Sequence, residues 1–270
     1  MIGALVDRAE WRWMQHRRRR PADGTRVVAG VHVRELGRGS PTIVLAADPP
    51  NVIEHLAELA AALAERHRVV CVELPGFGFS SPDGSLGHML VELDAAPYAL
   101  ALPCAAGLVS ATLAAEYPSL VSHVIGVQSP GLAGVRAWAA RIDRRGLIRT
   151  RGLGQAMVAL TRRRVARGWY DVAVAEPARR PAYLDGALAA FDAGATYPLA
   201  SALQSFARLA PPPIVQPTLL VWGARDPTHR KTPRDGLAPG ARIVELADAG
   251  HFPDLEDVAG FVAAVTSFVR

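Results

Sequence analysis

The segment Tyr98–Pro118 reads YALALPCAAGLVSATLAAEYP and contains three successive patterns. It begins as a short apolar run, breaks at PCAAG, and resumes with apolar residues at helical spacing until Tyr-Pro ends it. These patterns predict a strand, a tight turn and a helix. Cys104 lies at the tip of the turn. There its side chain would project above the sheet edge, and the next backbone N–H, at the helix start, would face the same space. Cys104 is therefore the candidate nucleophile.

Three further segments match one family in their order and spacing. They read VVCVELPGFGFSSPD at 69–83, PTLLVWGARDP at 217–227 and LADAGHFPDLED at 246–257. Together with the turn at Cys104, they make the chain resemble the α/β-hydrolase family, in its epoxide hydrolase and esterase-like branch. The resemblance covers about 26–130 and 214–270.

The resemblance implies a fold and a division of the chain. The fold is α/β: a mostly parallel eight-stranded sheet with helices on both faces and an inserted helical cap. The core would comprise 23–130 and 214–270, the cap 131–213, and a basic accessory helix 1–22. A chain of 270 residues, half of them apolar, is long enough to bury a full core with an inserted subdomain.

The resemblance also implies a Cys-His-Asp triad. Cys104 stands at the position of the nucleophile, His251 at that of the base and Asp226 at that of the acid. The backbone N–H groups of Asp48 and Ala105 stand where the family places its oxyanion hole. A helix start and a neighbouring imidazolium both lower the pKa of a cysteine, so we expect a thiol that reacts near neutral pH.

The chemistry implied by this triad is acyl transfer. The Cys104 thiolate would attack the acyl carbon of an ester or thioester, and water or another acceptor would then release the acyl group. Such a protein would be an esterase, a thioesterase or an acyltransferase. No cofactor is implied. The cysteines, Cys71 and Cys104, give neither a disulfide framework nor a metal-ligand spacing, so we expect no metal site.

The turn itself departs from the family pattern. The motif Gly-x-nucleophile-x-Gly appears as Leu102-Pro103-Cys104-Ala105-Ala106, although small flanking residues normally relieve the strain of this turn. Two interpretations therefore stay open. Cys104 is either a reactive nucleophile or an inert remnant in a protein that binds a ligand or performs another chemistry.

A second departure lies in the loop at Asp48. The family's His-Gly-x-Pro appears as Ala46-Ala47-Asp48-Pro49, which introduces a carboxylate where negative charge would develop, and an ionised acid there would oppose an oxyanion. One interpretation is that Asp48 caps the helix predicted at 51–66. The other is that Asp48 and His251 carry out acid-base chemistry without hydrolysis.

The net charge of +5 is unevenly distributed. The segment 131–215 carries thirteen arginines against five acidic residues. A basic cap above a pocket favours an anionic substrate, such as an acyl group on a phosphate-bearing carrier, although an arginine-coated surface would give the same composition. We expect no nucleic-acid partner, because no recognised binding module accompanies the charge. The sequence gives no indication of oligomeric state.

The amino-terminal segment predicts a helix with Leu5, Trp11 and Met14 near one side and the basic run Arg17–Arg20 at its end. It is either a packed accessory helix or an anchor for an acidic partner or a membrane surface. The chain contains no apolar run of the roughly 18 to 20 residues that a membrane span needs, and its start lacks a secretory apolar region. We therefore expect a cytoplasmic protein for which membrane association is not indicated.

Overall fold

The structure is a computed structural model that describes residues 2–16 and 24–270. Within these residues, eight strands form one sheet in the order β1-β2-β4-β3-β5-β6-β7-β8. The strands β3 to β8 run parallel to their neighbours, whereas β1 with β2 and β2 with β4 are antiparallel. Their bounds are β1 Thr25–Val28, β2 Val31–Leu36, β3 Thr42–Ala46, β4 Val69–Val72, β5 Tyr98–Pro103, β6 Val121–Val127, β7 Thr218–Gly223 and β8 Arg242–Leu246.

Helices cover both faces of the sheet. Their bounds are α1 Ile2–Gln15, α2 Ala57–Ala64, α3 Leu86–Leu93, α4 Gly107–Glu116, α5 Leu132–Ile142, α6 Leu153–Ala173, α7 Arg180–Asp192, α8 Leu199–Phe206, α9 Pro253–Glu256 and α10 Val258–Phe268. Single 3-10 turns span Ile53–Leu56, Cys104–Ala106 and Pro177–Arg179. None of the helices in the described part of the chain combines the length and apolar character that crossing a bilayer would require.

The apolar runs form strands because the sheet is buried on both sides. Along β3, Ile43 and Leu45 pack into a cluster with α2 and α10, and Val44 and Ala46 pack into the opposite cluster with α3 and α4. Successive side chains of a strand point to opposite faces, so a strand between two helix layers is apolar throughout. The predicted mostly parallel sheet with helices on both faces is confirmed.

The helices α5 to α8 lie between β6 and β7, in the segment predicted to form a cap. Val158, Ala166 and Tyr170 of α6 belong to the same apolar cluster as the residues of α2 and α10. The core of one sheet face therefore continues into these inserted helices. The division of the chain into 1–22, a core and a separate cap stays a prediction.

The amino-terminal helix α1 packs against α6 and α8. Met14 is buried, whereas Leu5, predicted near the same side of the helix, is 60% exposed. Polar contacts set the orientation of the helix instead, since Asp7 accepts a hydrogen bond from Ser201 and Glu10 pairs with Arg162. The predicted basic run Arg17–Arg20 lies outside the described residues.

Two predicted helices differ in their boundaries. The sequence at 254–270 predicts a single helix. The structure divides this segment into α9 and α10, because the Asp257 side chain accepts a hydrogen bond from Gly260 N and starts a new helix. The helix expected at 51–66 begins with the 3-10 turn Ile53–Leu56. These differences leave the carboxyl ends of the parallel strands unchanged, and that edge of the sheet holds the candidate site.

Candidate active site

The predicted nucleophile occupies a strained turn. Strand β5 ends at Pro103, and Cys104 follows with φ 48°, a left-handed conformation that costs free energy for a residue with a side chain. Pro103 has φ −86° and ψ 157°, close to the φ that its ring favours. The glycine that permits close packing is Gly107, one residue after the second glycine position of the family motif. A Cβ at Gly107 would lie 2.7 Å from the Ser129 side chain. The turn therefore forms without glycine at either motif position.

The structure brings the predicted triad together. Asp226 follows β7, and its Oδ2 lies 2.7 Å from Nδ1 of His251 in the loop after β8. The Cys104 Sγ lies within 4.8 Å of an imidazole nitrogen of His251. Since Nδ1 is bound to Asp226, Nε2 is the nitrogen that faces the sulfur. Asp226 and His251 are buried, and Cys104 is half-buried beside the cavity.

Asp226 is held by several donors. The Thr228 backbone N and hydroxyl lie 2.7 Å from its Oδ1, and Gln128 Nε2 lies 2.7 Å from its Oδ2. Burial opposes ionisation, yet His251 and the Thr228 donors hold the pKa of Asp226 well below its usual range. The Asp226 carboxylate is therefore ionised and fixed against Nδ1 at neutral pH.

Gln128 is a functional residue that sequence reasoning missed. Its amide donates to Asp226, and its Oε1 accepts a hydrogen bond from Gly223 N at 2.7 Å. Gln128 directly follows β6. The signal was a polar residue directly after a buried strand.

Glu256 is the second missed residue. Its carboxylate accepts hydrogen bonds from the backbone N–H groups of Gly250 at 3.1 Å, Phe252 at 3.3 Å and Ala175 at 2.8 Å. The peptide N of His251 also donates to Ala173 O at 2.8 Å. Glu256 thus fixes the His251 loop against the end of α6.

Replacing Glu256 by alanine is expected to lower the free energy of unfolding by about 2–4 kcal/mol, because three backbone donors lose their acceptor. Urea unfolding measures the change. Glu245→Ala on β8 is the control, since this carboxylate is half exposed and pairs with Arg234, and we expect a loss below about 1 kcal/mol. Equal losses in the two variants would contradict the role assigned to Glu256.

Asp48 lies in the site and does not cap a helix. Its Oδ2 is 3.3 Å from Nε2 of His251, and among the described residues this oxygen has no hydrogen-bond partner. The following 3-10 turn begins after Val52 with no side-chain cap hydrogen bond from Asp48. The helix-cap interpretation was therefore wrong. Asp48 and Ala105 both line the cavity beside Cys104, and the oxyanion role of their N–H groups stays a prediction.

The electrostatics reverse the expected state of the thiol. Burial and the Asp48 charge raise the pKa of Cys104 above its ordinary value, and they outweigh the opposing effects of His251 and the Ala105 N–H. The sequence-based expectation of a lowered pKa was wrong, because it included the helix start and the imidazole but not desolvation or Asp48.

Of Cys104 and His251, His251 is the residue that is charged at neutral pH. Burial disfavours its protonated form, but Asp226, helped by Asp48 and the Cys104 thiol, raises the pKa of His251 well above its usual value. The ring of His229 stacks on that of His251 with centroids 5.5 Å apart. Burial and the His251 charge lower the pKa of His229 to about 4, so this second imidazole is neutral.

A cavity of about 1010 Å³ opens above Cys104. Most of its wall is apolar, and α5, α6 and α8 contribute Trp138, Trp169 and Phe206. Arg141 is the single arginine among the described lining residues, and its Nη2 donates to Thr228 O at 2.7 Å. The cavity therefore suits an apolar group at the thiol.

Comparisons with solved structures agree with the fold. Among solved structures, the chain is similar to epoxide hydrolase A from Mycobacterium thermoresistibile, with 20% identity over 93% of this chain and 98% of that chain and a TM-score of 0.70. It is also similar to a thermophilic esterase from Thermogutta terrifontis, with 18% identity, coverage of 91% and 98%, and a TM-score of 0.64. A bromoperoxidase from Bacillus anthracis is similar too, with 17% identity over 90% of this chain and 99% of that chain and a TM-score of 0.66. At these identities the likeness shows the fold alone.

The sequence comparisons give the family. No curated protein matches the sequence. The model of the Alpha/beta hydrolase family matches residues 49–264, which is most of the chain and includes Cys104, Asp226 and His251. The resemblance suggested by the motifs is thereby confirmed, and the protein belongs to the alpha/beta hydrolase family.

Proposed function

We propose that this protein cleaves an ester or thioester and transfers its acyl group to water or another acceptor through a thioester on Cys104. One observation carries the proposal: Cys104 is held in a left-handed conformation at the mouth of an apolar cavity, beside an imidazole whose other nitrogen is bound to a buried carboxylate. This is the arrangement of nucleophile, base and orienting acid that covalent catalysis requires. The esterase among the similar structures supports the same reaction class.

The reaction begins from a thiol and an imidazolium. Loss of the imidazolium proton frees Nε2, which then takes the proton of Cys104 as the sulfur attacks the acyl carbon. The protonated His251 gives that proton to the leaving alcohol or thiol, and a thioester remains on Cys104. Water or an acceptor, deprotonated by His251, then attacks the thioester and restores the thiol. Because His251 starts protonated, acylation should speed up as the pH rises above neutral.

The acyl group is proposed to be apolar. The cavity beside Cys104 is lined mainly by apolar side chains, and the Asp48 carboxylate also lines it. An acid at the acyl end would meet that carboxylate, and the nearby cations are already engaged. The imidazolium of His251 contacts both Asp48 and Asp226, and Arg141 contacts Thr228. The positive charge of the arginines in 131–215 is compatible with an anionic carrier bound outside the cavity, and that carrier remains part of the proposal.

Intact-mass spectrometry tests the proposal. Incubation with p-nitrophenyl esters of short and medium acyl chains is expected to add one acyl group, which peptide mapping places on Cys104. Cys104→Ala should show no adduct, whereas Cys71→Ser should keep it, because Cys71 is buried in β4. An adduct on another residue, or no adduct with any ester at pH 9, contradicts the acyl-enzyme.

One observation favours a second function, acid-base chemistry without an acyl-enzyme. Asp48 Oδ2 lies 3.3 Å from Nε2 of His251, so a carboxylate and an imidazole face the same cavity as a possible proton-transfer pair. This function predicts that Cys104→Ala keeps turnover of the natural substrate while Asp48→Asn and His251→Ala lose it. The acyl-enzyme predicts that Cys104→Ala is inactive.

A further inference from the structure

Three side chains that bind soft metals converge beside the cavity. They are Cys104 after β5, His229 after β7 and His251 after β8. One ligand atom of each lies within 4.8 Å of those of the other two. Both imidazoles are almost fully buried, with 2% and 1% exposure. The sequence predicted no metal site because only the spacing of the cysteines was considered, and this cluster is assembled by the fold from separate loops.

Each imidazole has Nδ1 held by another side chain, which leaves Nε2 as the nitrogen that an ion could bind. Nδ1 of His251 is bound to Asp226 at 2.7 Å, and Nδ1 of His229 lies 3.0 Å from the Thr232 hydroxyl. The Nε2 of His229 is buried and has no hydrogen-bond partner among the described residues. The Nε2 of His251 is buried as well and lies 3.3 Å from Asp48 Oδ2. Metal-binding histidines normally have their second nitrogen fixed by a carboxylate or another polar group. Both rings meet that condition.

The distances suit a tetrahedral ion. Zinc binds sulfur at about 2.3 Å and imidazole nitrogen at about 2.0–2.1 Å, so two of its ligand atoms lie roughly 3.3–3.7 Å apart. The three ligand atoms lie within 4.8 Å of one another. Side-chain rotations that move each atom by about an ångström bring them to the spacing that zinc requires. Asp48 Oδ2 lies 3.3 Å from Nε2 of His251, so it is placed to supply the fourth ligand.

We propose that Cys104, His229 and His251 bind a divalent ion of the zinc class, with Asp48 at the fourth position, and that the bound ion blocks the chemistry of Cys104. Thiolate and imidazole ligands favour zinc and related ions over magnesium or calcium. Binding replaces the thiol proton and the imidazolium proton, which pass to solvent. The bound ion then holds both the sulfur and Nε2, the two groups that attack and deprotonation need. The ion binding itself does not depend on the proposed acyl transfer.

Cobalt(II) titration of the whole, metal-free chain tests the site with a spectroscopic signal. In the presence of a phosphine reductant, we expect a thiolate-to-cobalt charge-transfer band that saturates at one ion per chain and is removed by zinc. Zinc should also protect Cys104 from iodoacetamide, a readout that needs no enzyme activity. Cys104→Ser should abolish the band, and His229→Gln should weaken cobalt binding at least about tenfold.

Matched controls separate this cluster from other ligands. Cys71→Ser removes the other cysteine, and His123→Gln removes a half-buried histidine of β6 that packs on Phe268, so both should titrate as the parent does. Circular dichroism checks the folding of each variant, and His229→Asn replaces His229→Gln if the latter is disturbed. No band in the parent, or unchanged cobalt affinity in folded variants of Cys104 and His229, overturns the proposal. If an acyl adduct forms but no metal binds, only the metal-site proposal fails. If metal binds but no adduct forms, only the acyl-enzyme proposal fails.

Discussion

Asp226→Asn is expected to lower the rate of Cys104 acylation about 10⁴-fold while the fold is kept. Asp226 accepts a hydrogen bond from Nδ1–H of His251 at 2.7 Å. Because the proton is held on Nδ1, Nε2 can take the thiol proton. An asparagine amide that donates to Nδ1 would favour the tautomer with the proton on Nε2. That tautomer cannot act as the base. The loss of the carboxylate charge also removes the main stabilisation of the imidazolium.

The matched control is Asp248→Asn. Asp248 lies in the same loop as His251, but its side chain is 81% exposed and pairs with Arg225 on the surface. We expect its acylation rate to stay within about twofold of the parent, because exposed pairs contribute little. Stopped-flow release of p-nitrophenol measures the first turnover, and thermal unfolding verifies that both variants are folded. An Asp226→Asn rate within tenfold of the parent would exclude the Asp226–His251 pair from the reaction.

The sequence predicted the positions of the site residues because the fold follows simple patterns. Strands β5 and β7 are buried apolar runs, β8 is a shorter edge strand that pairs with β7, and the carboxyl ends of parallel strands meet at one edge of a sheet. Residues directly after these strands must therefore lie near one another. Cys104, Asp226 and His251 each follow one of them, so their convergence required only the strand order.

The sequence did not predict the directions of side chains or the charges they create. Gln128 and Glu256 each accept a hydrogen bond from a backbone N–H of a distant segment, at Gly223 and Ala175, and no local pattern indicates such partners. His229 was not recognised as part of the site, since its neighbourhood with His251 arises from the packing of two loops. The direction of the Cys104 pKa shift depends on burial and on where Asp48 points. These are properties of the assembled structure.

Asp48→Asn is expected to increase the rate of Cys104 alkylation by iodoacetamide at neutral pH between about tenfold and a hundredfold. The Asp48 charge opposes the thiolate and is the second cause, after burial, of the raised pKa of Cys104. Removing it lowers that pKa, so a larger fraction of Cys104 is thiolate at pH 7. The same change removes one of the carboxylates that raise the pKa of His251, so its neutral form also appears at lower pH. Both effects move the acylation profile toward acid.

Other titratable groups interact with Cys104 and His251, so the pH profile of Cys104 alkylation must be interpreted together with them. They are Asp226, His229, Tyr197, Asp254 and Glu256. Asparagine preserves the size of Asp48 and keeps these neighbours in place. Glu116→Gln is the control, because Glu116 lines the same cavity yet does not shift the pKa of Cys104, and its profile should match that of the parent. Alkylation of Cys104 is followed by mass spectrometry from pH 5 to pH 10. If Asp48→Asn and the parent gave the same profile, the Asp48 carboxylate would not be what keeps the thiol protonated, and burial alone would explain its resting state.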